Sequence, residues 1–300
     1  DELSLVALHF ANGDAFFAGA ALVVFAALLS LTTKGRTASA ISRMILLAGA
    51  VFITFSSTPL PWWQYGVWGG AWALMFFRKL PERGSERRRF QTTPLLVLLA
   101  TGAVIGMEIP YHQRPQPVTI GSRSIIIIGD SLTAGLNENL PQWPEIFEEK
   151  TGLTVTDMSE AGLTTRGAYE SASAISDDVF GNAVVIIEIG GNDLLSFGAG
   201  ADEFETDLDS LLAKVAKPGG LVLLMELPLP PFCNRYGLIQ RSLSKKYGAV
   251  LIPKRFLTKV LEAPGATSDG LHLSKYGHGL MADMFASILS PVPAADNTQQ

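Results

Sequence analysis

Ser131 stands in Gly129-Asp130-Ser131-Leu132-Thr133-Ala134-Gly135, directly after a run of four isoleucines at 125–128. A serine hydroxyl attacks a carbonyl only with a base to take its proton, a group to orient that base, and donors for the oxyanion that forms. Beyond residue 123 there are two histidines, His272 and His278. Asp269 lies three residues before His272, and Gly270 between them permits a sharp bend, so Asp269 can accept from Nδ1–H and leave Nε2 for the serine. His278 lies four residues after Ser274, inside a predicted helix, and is read as packed or solvent-facing. The Ser131 N–H, the Gly162 N–H and the Asn192 side-chain amide are candidate donors, each just after an apolar run. Such a set would carry out acyl transfer. Turn chemistry is the alternative for each block alone, because Gly, Asp, Asn and Ser are what strand-to-helix turns prefer.

The elements that must position these residues are legible in the same half of the chain. Apolar, β-rich runs recur at 125–128, 153–156, 184–189, 221–224 and 249–252. Between them Trp143/Ile146/Phe147 and Leu208/Leu211/Leu212/Val215 follow helical spacing. Continuous apolar strands alternating with helices predict an α/β domain with a parallel sheet covered on both faces. Open sheets of this kind build sites at the carboxyl ends of strands, at a topological switch point. Three strands end on small polar groups: Gly129-Asp130-Ser131, Ser159-Glu160-Ala161-Gly162 and Gly190-Gly191-Asn192-Asp193. Their recurrence at one edge favours chemistry over turns. Asp130 and Asp193 are read as turn-shaping, and Glu188, inside the third strand, receives no role. A last helix carries Leu280, Met281, Met284, Phe285, Ile288 and Leu289, with Ser274 as N-cap and Pro291 and Pro293 as its stop. The polar tail 292–300 reads as disordered. The GGND stretch lacks the spacing of a nucleotide fingerprint, and no His/Cys/Asp cluster has ligand spacing, so neither cofactor nor metal is expected.

The first 110 residues differ in kind. Four nearly charge-free runs lie at 15–32, 44–60, 62–77 and 94–110, near the length a membrane-crossing helix needs, the third being marginal. Buried core helices, or a signal peptide for the first, are the alternatives. All nine Lys and Arg of this region fall in two places: Lys34, Arg36 and Arg43 after the first run, and Arg78, Lys79, Arg83, Arg87, Arg88 and Arg89 after the third. Four spans in series put both basic loops on one side, the cytoplasmic side by the positive-inside rule. Three spans with a re-entrant or interfacial segment is the competing topology. With four, a tether at 111–123 leads to a domain at 124–291 outside the cytoplasm, and the N-terminus is outside as well. The whole is then an integral protein of a bacterial cytoplasmic (inner) membrane facing the periplasm or the exterior.

Composition is consistent with this division. Mean hydropathy is +0.27, with most of the excess before residue 111. The net charge of −5 divides into nine bases against six acids in residues 1–110 and 14 against 22 in the remainder. So acidic a domain argues against nucleic acid as a partner. The single cysteine, Cys233, excludes an internal disulfide.

Taken together, Gly129-Asp130-Ser131-Leu132, Gly162, Gly191-Asn192-Asp193 and Asp269-Gly270-Leu271-His272 resemble, in order, the four blocks of the GDSL, or SGNH, hydrolase family. The runs IIIIGDSLTAG and IEIGGNDLL are most similar to its thioesterase/lysophospholipase/arylesterase-like branch. The resemblance implies a flavodoxin-like three-layer α/β/α fold, with Ser131 as nucleophile, His272 as base and Asp269 as its orienter. It implies Ser131, Gly162 and Asn192 as the oxyanion hole. Two positions depart from the pattern: Glu160 stands where an Asn is frequent, and Leu273 where Pro is. The four-span anchor is outside the pattern.

Three functions follow as expectations. The first is a membrane-anchored serine hydrolase acting on small-molecule, lipid or glycan esters or thioesters near membrane lipids. The second is acyl transfer to cell-envelope glycans. The third is a structural subunit of a membrane complex, with partners bound through residues 1–110 and the hydrolase fold as an external cap.

Overall fold

The computed structural model describes residues 2–32, 36–77, 87–136, 140–195 and 200–290. Lys34, Arg78, Lys79 and Arg83 of the basic loops, and the tail at 292–300, lie outside the described residues. The chain divides into two compact units, one of Asp1–Gln113 with Leu229–Asn234, the other of Arg114–Pro228 with Arg235–Gln300.

The first unit is helical: α1 (Glu2–Ala11), α2 (Asp14–Thr32), α3 (Arg36–Phe55), α4 (Trp62–Phe76) and α5 (Arg87–Glu108), followed by a 3₁₀ turn at Ile109–His112. Among the described residues three stretches are long and apolar enough to cross a membrane: Asp14–Thr32, Thr37–Phe55 and Thr92–His112. The expected span at 62–77 forms a helix of 15 residues. At 1.5 Å per residue such a helix is about 22 Å long, against a hydrocarbon core of about 30 Å. The expected runs at 15–32, 44–60 and 94–110 overlap these three stretches, and the one at 62–77 does not. Met44, Leu47, Leu74, Leu95, Leu96 and Leu99 present large apolar side chains to the outside, a surface compatible with a membrane anchor.

Close packing and buried polar bonds join these helices, the interactions that serve where burial brings no hydrophobic gain. Gly19 of α2 and Gly49 of α3 meet backbone to backbone. A Cβ on either would lie 2.7 Å from the other's carbonyl oxygen. Ser42 Oγ donates to Ala26 O at 2.8 Å between the same helices. The buried Trp68 Nε1–H donates to Thr101 Oγ1 at 2.8 Å and joins α4 to α5.

The second unit is a doubly wound α/β domain. Its elements are β1 (Val118–Thr119), β2 (Ser124–Gly129), α6 (Ser131–Ala134), α7 (Trp143–Thr151), β3 (Val155–Asp157), α8 (Thr165–Ser173), α9 (Asp177–Gly181), β4 (Ala183–Glu188) and α10 (Gly191–Leu195). There follow α11 (Ala201–Val215), β5 (Leu221–Met225), α12 (Asn234–Tyr247), β6 (Val250–Ile252), α13 (Arg255–Glu262), α14 (Lys275–Ile288) and β7 (Leu289–Ser290). The main sheet runs β3-β2-β4-β5-β6, with every pairing parallel. The order reverses between β2 and β4, which makes their carboxyl ends the switch point.

Successive strand residues face opposite sides of the sheet. Ile125, Ile127, Val184, Ile186, Leu223 and Met225 face Trp143, Phe147, Met281 and Phe285, and Trp143 stacks on Phe285 at 4.5 Å. Ile126, Ile128, Val185, Ile187 and Leu224 are buried as well, on the side of the buried Ala168, Phe204, Leu208 and Leu211. With both faces covered the strands read as unbroken apolar runs. Ser274 caps α14 by accepting from Gly277 N at 3.1 Å. His278, buried within α14, accepts from Trp143 N at 3.2 Å through Nδ1 and so caps α7 from another helix.

The expected tether at 111–123 is not all linker. Val118 and Thr119 pair in parallel with Leu289 and Ser290, and Ile120 is fully buried in the core. Alternating apolar residues within a polar stretch gave that segment a face to bury.

Two outcomes follow. Gly49→Val forces an isopropyl group into the α2–α3 contact and should cost about 1–3 kcal/mol of overpacking, seen as a lower melting temperature in detergent. Burial pushes the His278 pKa down to about 4. The unfolded chain therefore binds a proton that the folded chain does not, and stability should fall as pH drops from about 6.5 toward about 4. His278→Gln should flatten that limb in melting temperature against pH.

Candidate active site

The site grows from the register of two strands. Gly129 of β2 lies opposite Glu188 of β4. Ser131 opens α6 immediately beyond β2, and Asn192 lies in α10 immediately beyond β4. Gly162 follows β3 in the same direction, and the Asp269–His272 loop precedes α14. All the residues expected to act therefore stand at the carboxyl edge.

Asp130 links two of these ends. Its Oδ1 accepts from Leu132 N at 3.0 Å, capping α6, and its Oδ2 accepts from Asn192 Nδ2 at 3.4 Å. Asn192 Nδ2 also donates to Leu163 O at 2.9 Å, which brings in the residue after Gly162. Ser131, Gly162 and Asn192 are thus tied to one another through Asp130 and Leu163. Gly162 has φ of +81°, and the space where a side chain would stand is open. A left-handed backbone with unobstructed approach is what glycine provides. Among the described residues neither the Ser131 nor the Gly162 N–H has a protein acceptor. Asp193 works at the same edge, accepting from Thr165 N at 2.9 Å and from Thr165 Oγ1 at 3.1 Å. It fastens the start of α8. Both aspartates shape turns, as expected.

The basic half of the site is local. His272 Nδ1 lies 2.7 Å from Asp269 Oδ2, and Asp269 Oδ1 accepts from the backbone N–H of His272 at 2.7 Å and of Leu271 at 2.9 Å. The His272 ring bond, then these two N–H groups, hold the Asp269 carboxyl well below the usual carboxylate range. A carboxylate only accepts, so Nδ1 carries the proton and Nε2 is left as the basic atom. His272 lies near enough to Asp130, the neighbour of Ser131, to favour its carboxylate. No hydrogen bond joins the Ser131 hydroxyl to the His272 ring among the described residues; such contacts are frequently long without substrate. Glu160 is exposed, and its N–H donates to Gly129 O at 3.1 Å.

Burial raises the Asp130 and Asp193 carboxyls above their ordinary values. Glu188, fully buried, is raised further, first by burial and then by Asp130. Its Oε2 accepts from Thr133 Oγ1 at 2.9 Å. Sequence reasoning left Glu188 without a role and did not single out Thr133. The only signal was an acid at the end of an apolar strand. Among the described residues no group of three or more His, Cys, Asp or Glu could hold a metal ion.

An open parallel sheet with a serine turn, glycine and asparagine blocks and an Asp–His pair along one edge defines a class of flavodoxin-like α/β domain. The chain belongs to the GDSL-like lipase/acylhydrolase family, whose model matches residues 127–280. Among solved structures it is similar to the psychrotrophic esterase EstA from Pseudoalteromonas sp., with 24% identity over 55% of this chain and 96% of that one and a TM-score of 0.49. A member of the lipolytic G-D-S-L family from Veillonella parvula is 19% identical over 55% and 97%, with a TM-score of 0.46. AlinE4, an SGNH-hydrolase family esterase, is 26% identical over 55% and 94%, with a TM-score of 0.42. No curated protein matches the chain.

Asp130→Ala removes the cap of α6 and the carboxylate on Asn192 together. It should destabilise the chain by about 1–2 kcal/mol, measured as a shift in denaturant midpoint at constant slope.

Proposed function

We propose that the chain is a serine hydrolase that cleaves carboxylic (acyl) esters or thioesters through an acyl-enzyme. Ser131 is the nucleophile, His272 the general base and Asp269 its orienter. The observation that carries this reading is the 2.7 Å bond between His272 Nδ1 and Asp269 Oδ2, which leaves Nε2 as the basic atom.

Ser131 Oγ attacks the acyl carbon as its proton passes to His272 Nε2, and the carbonyl π pair moves onto oxygen. The oxyanion is met by the N–H groups of Ser131 and Gly162 and by Asn192 Nδ2. One Asn192 hydrogen stays on Leu163 O at 2.9 Å, while the other makes only the 3.4 Å contact to Asp130 and is free to turn toward the oxyanion. Collapse expels the alcohol or thiol, which leaves with the proton from His272, and Ser131 is acylated. Water then gives a proton to His272 and attacks the acyl carbon. The second collapse returns the proton to Ser131 and releases the acid.

Residues 1–110 hold this domain at a membrane, which favours ester substrates in or near the bilayer surface: lysophospholipids, other acyl esters or acylated envelope glycans. With α4 counted as a crossing, both basic loops face the cytoplasm and the domain lies outside it. A helix of 15 residues crosses only where the bilayer thins or its flanks draw the interface inward, a role suited to Trp62 and Trp63.

Ser131→Ala should lower turnover of short p-nitrophenyl esters by about 10⁴-fold or more; undiminished turnover would sink the assignment. Cys233 is the one cysteine of the chain and is half-buried. A membrane-impermeant maleimide should label it in intact cells. Protection until the membrane is opened would place the domain on the cytoplasmic side.

A further inference from the structure

We propose that Glu188 is a positioning residue for the nucleophile turn: a carboxyl beneath Gly129 that grips the Thr133 hydroxyl and, through it, the single turn of α6 that begins with Ser131. The inference rests on the reading of Ser131 as nucleophile.

The geometry is close on every side. Glu188 lies opposite Gly129 in the β2–β4 register, and its carbonyl accepts from Asp130 N at 3.1 Å. A Cβ at Gly129 would stand 2.4 Å from Thr133 Oγ1 and 3.0 Å from Ser159 Oγ. Glycine is therefore what lets the Thr133 hydroxyl descend onto Glu188 Oε2, 2.9 Å away. Glu188 is 1% exposed, and its Oε1 has no hydrogen-bond partner. A carboxylate so buried, with one neutral donor, would be an uncompensated charge, so the side chain is held as the neutral acid.

The surrounding charges agree. Asp130, in the β2–α6 turn, is the charged group that faces Glu188, and Asp130 in turn feels His272 and Asp193. On the side of β5 the neighbouring acid, Glu226, is spent on Arg241 Nε at 2.7 Å. No cation among the described residues pairs with Glu188. Ionising it would put a second negative charge beside the carboxylate that holds Leu132 N–H and Asn192 Nδ2. Both the nucleophile turn and an oxyanion donor would loosen. Glu188 is set behind β2 and meets no substrate, so the effect belongs to kcat.

The test uses the full chain in detergent, as wild type, Glu188→Ala and Glu188→Gln. Ester turnover, fluorophosphonate labelling of Ser131 and melting temperature are followed from neutral to alkaline pH. Glu188→Ala leaves Thr133 without its acceptor and should lower kcat about ten-fold, with KM within about two-fold, as loss of one buried hydrogen bond predicts. Glu188→Gln is neutral and still accepts from Thr133. It should recover most of that loss and lack the alkaline fall in kcat and melting temperature that the wild type shows. Wild-type kcat in Glu188→Ala would overturn the proposal. So would an alkaline fall in Glu188→Gln matching that of the wild type, or a Glu188→Gln no better than Glu188→Ala. A wild-type chain that neither labels nor turns over would overturn both this inference and the hydrolase reading. Turnover that Glu188→Ala leaves intact overturns this inference alone.

Discussion

One parallel ladder governs the second unit. β2 and β4 pair over their whole length, Ser124 with Ala183 through Gly129 with Glu188, and β4 is buried at every position. A slip of one residue would turn each side chain to the other face. The register that buries the isoleucines therefore also sets which residues emerge at the strand ends, and how far apart. Asp130 can serve Leu132 and Asn192 together only because those ends are neighbours. Hydrophobic burial in the middle of the sheet thus does geometric work at its edge.

Much of this was legible beforehand. Ser131, Gly162, Asn192, Asp269 and His272 could be singled out because short polar blocks interrupt long apolar runs, and the runs themselves specify a covered parallel sheet. Ser274 as a cap followed from spacing, which placed His278 inside the helix without deciding whether it is packed or solvent-facing. The partners of His278 and Glu188 did not. Trp143 N–H meets His278 across 135 positions and Thr133 meets Glu188 across 55; contacts at such range depend on the register and helix placement, which local pattern does not encode. The boundaries of the tether failed for a related reason. The alternation of Val118 and Ile120 is too short to stand out from a polar stretch, and β1 is completed by its pairing with β7.

The first unit obeys different physics. Its helices meet through shape and a few buried polar bonds, the means of association that serve in an apolar solvent. Gly19 against Gly49 supplies the shape, and Ser42 with Ala26 and Trp68 with Thr101 supply the bonds. The hydropathy of the runs announces helices of this kind; it does not announce which faces meet. It also overstates α4, whose 15 residues are apolar enough to enter a membrane and short for crossing one.

The pairing of β1 with β7 ties the start of the second unit to its last described residues. Ribosomal synthesis delivers these two strands at opposite ends of the domain. The core that Ile120 and Leu289 share cannot close until the final helix has emerged. A chain held at a membrane by its first unit would thus carry an open apolar core for most of its synthesis. Contacts between distant parts of the chain slow folding and prolong exposure, so this domain would depend on whatever shields unfinished chains at the membrane surface.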